Sequence, residues 1–276
     1  MTMEHQHTAV ATHLPRSRRM PPWVGAVMTP VLSGIGGILL WELVVQLRGI
    51  PPYLLPAPSL VFFEIVENWS RLMRQLGFTA FASLIGFVVA LVLGIGLGAL
   101  FTSSRIVERV VYPWLVIFHA IPKVVIAPLF LVWIGFGMKS ETIFVVIFTI
   151  FPILVNTVTG LKAADPDLLQ LARSMGATRA GALWKIRVPA ALPTIMAGVK
   201  ISATMAPVGA VIGEFVASNV GLGHLLIQAV GSLETPLAFA AVVVISVFGI
   251  AIWYLAELVE RWLLPWHSSV RNTAGF

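Results

Sequence analysis

Six stretches of mostly apolar residues constrain this chain more than any other feature of its sequence. A helix needs about 20 apolar residues to cross a bilayer. Only 11% of the residues are charged and the mean hydropathy is +0.93, whereas a soluble domain carries about 25% charged residues. The sequence therefore predicts an all-α membrane protein with six transmembrane helices. The predicted spans are Trp23–Leu47, Phe78–Phe101, Val110–Ile134, Glu141–Gly160, Thr194–Val216 and Leu237–Leu258.

The basic residues predict how these spans are oriented. Twelve of the 18 Lys and Arg residues precede the first span, follow the last, or lie in the second-to-third and fourth-to-fifth connections. Basic residues concentrate on the cytoplasmic side, so both termini are predicted to be cytoplasmic. We expect a mobile tail at 1–22, a membrane domain at 23–265 and a cytoplasmic tail at 266–276. Basic loops also account for the net charge of +6, so no nucleic acid partner is expected.

Two patterns predict a helix beside the spans and a face by which the second span packs on its neighbours. Residues 59–76 alternate apolar and polar side chains at helical spacing, with Ser59 as the predicted N-cap. We expect a helix in the outer membrane interface, which is compatible with packing over the bundle. Small residues recur every four positions in the second span, where they let helix backbones approach closely. These are Gly86, Ala90, Gly94 and Gly98.

Polar side chains inside the predicted spans are candidates for a translocation pathway. Buried ionisable groups in membranes commonly line substrate or ion routes. His119 and Lys123 are four residues apart in a proline-rich span, and Lys200, Thr204 and Glu214 lie in the fifth span. The alternatives are that the lysines snorkel or form structural ion pairs, and that Glu214 makes a structural hydrogen bond.

The sequence contains none of the residue patterns that are typical of a catalytic, nucleotide-binding or metal site. The chain has no Cys, no Gly-Lys-Ser/Thr nucleotide loop and no His-Glu-x-x-His motif. His224 and His267 are too far apart in sequence from each other and from His119 to predict a metal site. We therefore expect neither catalytic residues nor a metal site, and no cofactor bound by this chain.

The fourth-to-fifth connection, residues 161–193, is predicted to contain two short helices. The first opens at Asp165-Pro166 and ends at Gly176, and the second runs from Thr178 to Val188 and stops at Pro189. An apolar stripe on the first helix must be covered either by a groove on a soluble partner or by the bundle itself. The stripe consists of Leu168, Leu171, Ala172 and Met175.

This connection resembles the EAA loop of binding-protein-dependent ABC importer permeases. That pattern is Glu-Ala-Ala, three residues, Gly, nine residues, Ile, one residue and Leu-Pro, and the spacing here is the same throughout. Gln170, Leu171 and Val188 depart from its identities. Replacement of Glu by Gln removes a charge but keeps the length and hydrogen-bonding capacity. The residues that the resemblance assigns to ATPase coupling are Gln170, Leu171, Ala172, Gly176, Ala177, Ile186 and Pro189.

Further segments are similar to the nitrate/sulfonate/taurine subgroup of these permeases, which includes pyrimidine-precursor and riboflavin permeases. Among these segments are Ile121-Pro122-Lys123, Phe151-Pro152 and Gly213-Glu214-Phe215. The resemblance implies a MetI-like fold and a non-catalytic, homodimeric permease in the lipid of a bacterial inner membrane. It also implies two copies of a cytoplasmic ATPase that bind ATP and Mg, and an extracytoplasmic binding protein. The cargo would be a small anionic or polar organic solute. An ion-coupled secondary transporter is the alternative function.

Overall fold

A computed structural model describes residues 22–103, 109–110, 113–114, 117 and 120–265 of the chain. These residues form helices and connections without a strand, as predicted. Both predicted tails fall almost wholly outside the described residues and stay predictions. The helices are α1 (Pro22–Arg48), α2 (Pro58–Glu67), α3 (Trp69–Ser103), α4 (Lys123–Ile134), α5 (Met138–Lys162), α6 (Pro166–Ser174), α7 (Arg179–Ala182), α8 (Val188–Ala217), α9 (Leu222–Gly231) and α10 (Thr235–Leu263).

Within the described residues, five helices are long and apolar enough to cross a membrane, namely α1, α3, α5, α10 and the run Ala180–Ala217 that contains α8. They agree with five of the six predicted spans. The predicted third span lies partly outside the described residues. Its described end is the 12-residue helix α4, which begins after Pro122. The described residues before it, 109–110, 113–114, 117 and 120, are also helical. Proline lacks an N–H and restricts the residue before it, so Pro122 interrupts the helical conformation within the predicted span.

The centre of the bundle is formed by α3, α5 and α8, which pack through small residues. The predicted stripe on α3 is confirmed as a packing face. A side chain at Gly94 would meet Ile153 of α5, and one at Gly98 would meet Thr157. In the same way, Gly209 of α8 lies against the backbone of α5. Lipid provides little hydrophobic driving force between helices, so this close contact holds the bundle together.

The predicted amphipathic helix is present, but its start and length differ from the prediction. It begins at Pro58 after an extended Ala57, and Ser59 does not act as its cap. The Ser59 N–H and hydroxyl instead bind the carboxylate of Glu42 on α1, at 2.9 and 2.8 Å. The helix breaks at Asn68, and the rest of the predicted segment forms the first turns of the long helix α3. A distant carboxylate thus replaces the local cap.

Two apolar clusters mark the ends of the bundle. At the loop end, Leu161, Ile195 and Leu264 join α5, α8 and the end of α10 beside the 161–193 connection. At the opposite end, Val61, Leu72, Leu225 and other buried residues join α2, α3, α9 and α10. The 161–193 connection and the short helix α9 are therefore separated by the length of the bundle.

Candidate functional site

The first helix of the 161–193 connection forms as the sequence predicts. Pro166 occupies its first turn, and the Asp165 carboxylate accepts the N–H of Asp167 at 2.8 Å. Proline at this position costs no hydrogen bond, because the first N–H groups of a helix have no intrahelical partner. The local sequence alone therefore fixes where α6 begins.

A Schellman turn ends α6 and sets the direction of the chain after it. The Ala177 N–H donates to the Ala172 carbonyl at 2.9 Å, and the Gly176 N–H donates to the Arg173 carbonyl at 3.0 Å. Gly176 has φ +83°, a left-handed conformation that glycine adopts without strain. Thr178 then caps α7 by accepting the Gly181 N–H at 3.1 Å. Two capped helices are therefore joined by a turn with a defined geometry.

The apolar stripe of α6 points away from the bundle. The exposed fractions are 52% for Leu168, 57% for Leu171 and 79% for Met175. Trp184, just beyond α7, is 69% exposed. Ala172 is half-buried, so it belongs to the inner side of the helix. Within the described residues, the bundle leaves Leu168, Leu171 and Met175 uncovered, which favours a partner over the alternative that the stripe packs beneath its own helices.

The second predicted helix does not stop at Pro189. It changes to a π-helical turn, Leu183–Arg187, and continues directly into α8, which carries Pro189 in its first turn. A proline ring clashes with the carbonyl four residues earlier in a regular helix, and the wider π turn accommodates it. The loop is thereby joined to a helical run, Ala180–Ala217 of 38 residues, which at 1.5 Å per residue is about 57 Å long.

A cavity of about 570 Å³ separates α6 from the loop end of α3. Its lining includes Thr102 of α3, Leu169 and Arg173 of α6, and Arg187. Half-buried Leu183, which also lines this cavity, and half-buried Val188 pack on the loop-end cluster. The loop is thus attached to the bundle mainly through the start of α8, and α6 projects from that attachment. Of the predicted coupling residues, Gln170, Leu171, Gly176, Ala177 and Pro189 are exposed, and Ala172 and Ile186 are half-buried.

Lys123 borders a second cavity, of about 460 Å³, between α4, α3 and α5. The other lining residues are apolar or aromatic, including Phe130 and Trp133. The Lys123 ammonium lies 5.2 Å from the centre of the Phe148 ring. Among the described residues, no carboxylate lies within ion-pair distance of this lysine. His119, its predicted neighbour, lies outside the described residues.

Lys200 and Thr204 are in different surroundings from Lys123. Lys200 forms a 2.6 Å ion pair with Glu260 of α10, which is 8% exposed. Its ammonium also lies 5.9 Å from the Trp253 ring. Thr204 is exposed and its hydroxyl donates to the Ile201 carbonyl at 2.7 Å. Lys123 and Lys200 therefore have separate partners within a single copy of the chain.

Glu214 is fully buried at the opposite end of the bundle. Its carboxylate accepts the Gly223 N–H at 2.6 Å, at the start of α9. Gly221, with φ +98°, lies directly against the same carboxyl group. Glu214 thus holds the segment between α8 and α9, which is a structural contact that the sequence had left as an alternative.

The sequence did not predict the partners of the charged residues or the side chains that hold the start of α9. Glu141 and Glu260 were not distinguished from other acids near the predicted span ends. Gln75 and Thr79 of α3 bind the N–H groups of Gly221 and Leu222, at 2.7 and 2.9 Å. These contacts join residues more than 140 positions apart in the chain, so no local pattern reveals them. The only sequence signal was the occurrence of acids in apolar segments.

Comparison with known proteins identifies the family. Residues 90–266 match the family model described as binding-protein-dependent transport system inner membrane component. The formylaminopyrimidine transport permease protein of Halalkalibacterium halodurans is 33% identical over 240 residues, which cover 87% of this chain and 96% of the relative. The riboflavin transport system permease protein of Chloroflexus aurantiacus is 35% identical over 238 residues, which cover 84% and 87%.

Solved structures support the same fold. An inward-facing MetNI methionine ABC transporter aligns with TM-score 0.56 and 20% identity, covering 72% of this chain and 96% of that one. An amino acid ABC transporter solved with histidines aligns with TM-score 0.57 and 19% identity, covering 72% and 97%. The chain belongs to the family of inner membrane components of binding-protein-dependent transport systems, as a non-catalytic ABC importer permease subunit that works with a separate ATPase and binding protein.

Proposed function

We propose that the chain works as a homodimer with two ATPase copies, and that α6 is the surface by which each ATPase moves the bundle. The observation that carries this proposal is the exposed stripe of Leu168, Leu171 and Met175. An amphipathic helix with an unburied apolar face fits a groove on a partner. The basic connections support a cytoplasmic location for the loop and both termini, in the bacterial inner membrane.

The proposed mechanism is alternating access driven by ATP, which together with Mg is bound by the ATPase. ATP binding draws the two ATPases together, and α6 of each permease follows. The Schellman turn at Gly176 and the helical run 180–217 carry this displacement across the membrane. A ligand shifts a conformational equilibrium only through its different affinity for the two states. The ATPase must therefore bind α6 with different affinity in the inward-open and outward-open conformations.

The pathway is proposed to lie between the two copies. Exposed residues on α8 include Ile201, Thr204 and Val208, at helical spacing, and this face is available to a second copy. The cavity at Lys123 combines aromatic walls with a cation that has no carboxylate partner among the described residues. These features support a small anionic or polar organic solute of the sulfonate, taurine, nitrate, pyrimidine-precursor or riboflavin class. In this scheme Lys123 contributes to the admission of solute, whereas Lys200 is engaged with Glu260.

The sidedness of the loop can be tested by labelling, because the chain has no Cys. Single cysteines are introduced at exposed Leu171 of α6 and at exposed Val230 of α9. Intact spheroplasts are treated with a membrane-impermeant maleimide. We expect label at position 230 and none at position 171 until the membrane is opened. Label at position 171 in intact spheroplasts would overturn the proposed orientation and the ATPase contact with it.

The assembly can be tested with the purified transporter in nanodiscs. We expect a mass that corresponds to two permease chains and two ATPase chains, and solute uptake in proteoliposomes that requires both ATP and a binding protein. Uptake driven by an ion gradient after ATP depletion would instead support a secondary transporter.

A further inference from the structure

We propose that the cavity between α6 and the loop end of α3 binds the phosphate group of an anionic phospholipid. This cavity of about 570 Å³ has basic side chains from two elements in its wall, Arg173 of α6 and Arg187 at the end of the π turn. Sites that bind small organic molecules commonly have volumes of about 300–1,000 Å³. The proposal depends neither on the solute nor on the contact between α6 and the ATPase.

The two arginines of the wall have no acidic partner within the described residues. Lys200 and Arg261 pair with acids of α10, whereas neither Arg173 nor Arg187 forms such a pair. The Asp165 carboxylate, at the start of α6, binds the backbone of its own helix. A guanidinium without a carboxylate keeps its hydrogen-bond donors for a ligand. Its planar arrangement of N–H groups matches the oxygens of a phosphate group.

A hydroxyl group adds a third donor to the wall of the cavity. Thr178 lines the cavity, and its hydroxyl oxygen accepts the Gly181 N–H at 3.1 Å. This contact uses a lone pair, so the proton of the Thr178 hydroxyl is available to a ligand. Thr102 of α3 also lines the cavity, but its hydroxyl donates to the Ala99 carbonyl at 2.9 Å. The donors therefore come from the 161–193 connection, and α3 forms the opposite wall.

The position of the cavity along the bundle indicates a lipid as the source of the phosphate. Helix α3 has no charged residue between Arg74 and its end at Ser103, and about 20 apolar residues are enough to cross a bilayer. The cavity lies beside the last turn of this apolar stretch, at Ala99 and Thr102. The end of a spanning helix lies at the depth of the lipid headgroups, where basic pockets between helices bind them.

The remaining wall of the cavity fits the glycerol and the first carbons of the acyl chains. Leu169 and Leu183 are half-buried, and Ala180 and Ala182 add further apolar surface. Free phosphate has the same charged group as a phospholipid, but it would leave this apolar surface in contact with water, which is unfavourable. The combination of basic and apolar residues therefore favours the lipid over free phosphate.

The side of α6 that borders the cavity differs from the side proposed to bind the ATPase. Leu169 and Arg173 both line the cavity and are four positions apart, so they lie on one side of the helix. Leu168, Leu171 and Met175 are exposed on another side. A lipid in the cavity thus connects α6 to α3 and leaves the apolar stripe free for the ATPase.

Native mass spectrometry of the full-length permease, purified with its ATPase, tests the proposal. The delipidated complex is titrated in detergent with phosphatidylglycerol, with zwitterionic phosphatidylcholine or with inorganic phosphate. We expect saturable binding of phosphatidylglycerol by the wild type. The Kd should rise about tenfold in Arg173→Gln and in Arg187→Gln, because each variant loses a charge-assisted hydrogen bond. The control Lys185→Gln removes an exposed cation of the same π turn that does not line the cavity, and it should bind phosphatidylglycerol as the wild type does.

Three results would overturn the proposal. Equal affinity of the wild type for phosphatidylglycerol and phosphatidylcholine would exclude recognition of an anionic headgroup, and this comparison needs no variant. An equal loss of affinity in Lys185→Gln and in the two arginine variants would show attraction by the net charge of the connection only. Binding of inorganic phosphate that requires Arg173 and Arg187, without binding of phosphatidylglycerol, would exclude the lipid as the ligand.

Discussion

Truncation of Leu171 is the sharpest perturbation of the proposed ATPase contact. Burial of a complete leucine side chain contributes about 1.5–3 kcal/mol. Since 57% of Leu171 is exposed in the permease alone, a groove that covers it would add about 0.9–1.7 kcal/mol per loop. Leu171→Ala should therefore raise the Kd between permease and ATPase roughly 5- to 20-fold, because about 1.4 kcal/mol is a factor of ten.

The assay is binding of purified ATPase to immobilised nanodiscs that contain the permease. The matched control is Leu39→Ala, because Leu39 is 63% exposed on α1, a helix that is mostly unburied and far from the loop in the sequence. We expect the Leu39 variant to bind ATPase as the wild type does. Equal affinities for the Leu171 and Leu39 variants would refute the assignment of α6 as the contact surface.

Three further predictions concern the turn, the cavity and the ion pair. Gly176→Val should reduce ATP-driven uptake more than Gly176→Asn at equal membrane expression. The reason is that a left-handed conformation costs an ordinary residue roughly 1–2 kcal/mol and Asn less. Equal uptake by the two variants would contradict the view that transport requires the left-handed turn at Gly176. Lys123→Ala should lower uptake several-fold while Lys123→Arg retains most of it, and unchanged uptake in Lys123→Ala would exclude a role in admitting solute. Lys200→Met leaves Glu260 buried without its partner, so it should lower the free energy of unfolding by about 2–3 kcal/mol, measured by thermal unfolding. The double variant Lys200→Met/Glu260→Gln should recover part of this stability. Unchanged stability in Lys200→Met would contradict a stabilising Lys200–Glu260 ion pair.

The sequence predicts the spans and the coupling helix because both depend on local patterns. A run of apolar residues specifies a spanning helix in lipid, and Asp165, Pro166 and Gly176 specify the two ends of α6 through neighbouring backbone groups. The small-residue stripe on α3 could be read in the same way. These features need no knowledge of the tertiary structure.

The features that the sequence did not predict depend on distant contacts. Ser59 has the residue type of a cap, but Glu42, 17 positions away, binds its N–H and hydroxyl. A proline such as Pro189 commonly ends a helix, but here a π turn accommodates its ring and the helix continues. Lys200 and Glu260 are paired only by the packing of α8 on α10. In each case a tertiary contact or a backbone adjustment overrides a local rule.

The contact between α6 and the ATPase is tested most directly by a photo-crosslinking amino acid in place of Leu171, in cells that also produce the partner ATPase. The proposed function predicts a light-dependent adduct with the combined mass of one permease chain and one ATPase chain, and no such adduct when the same amino acid replaces Leu258, which is 63% exposed on α10. No ATPase adduct from position 171, with full expression of both proteins, would contradict the view that α6 couples this permease to its ATPase.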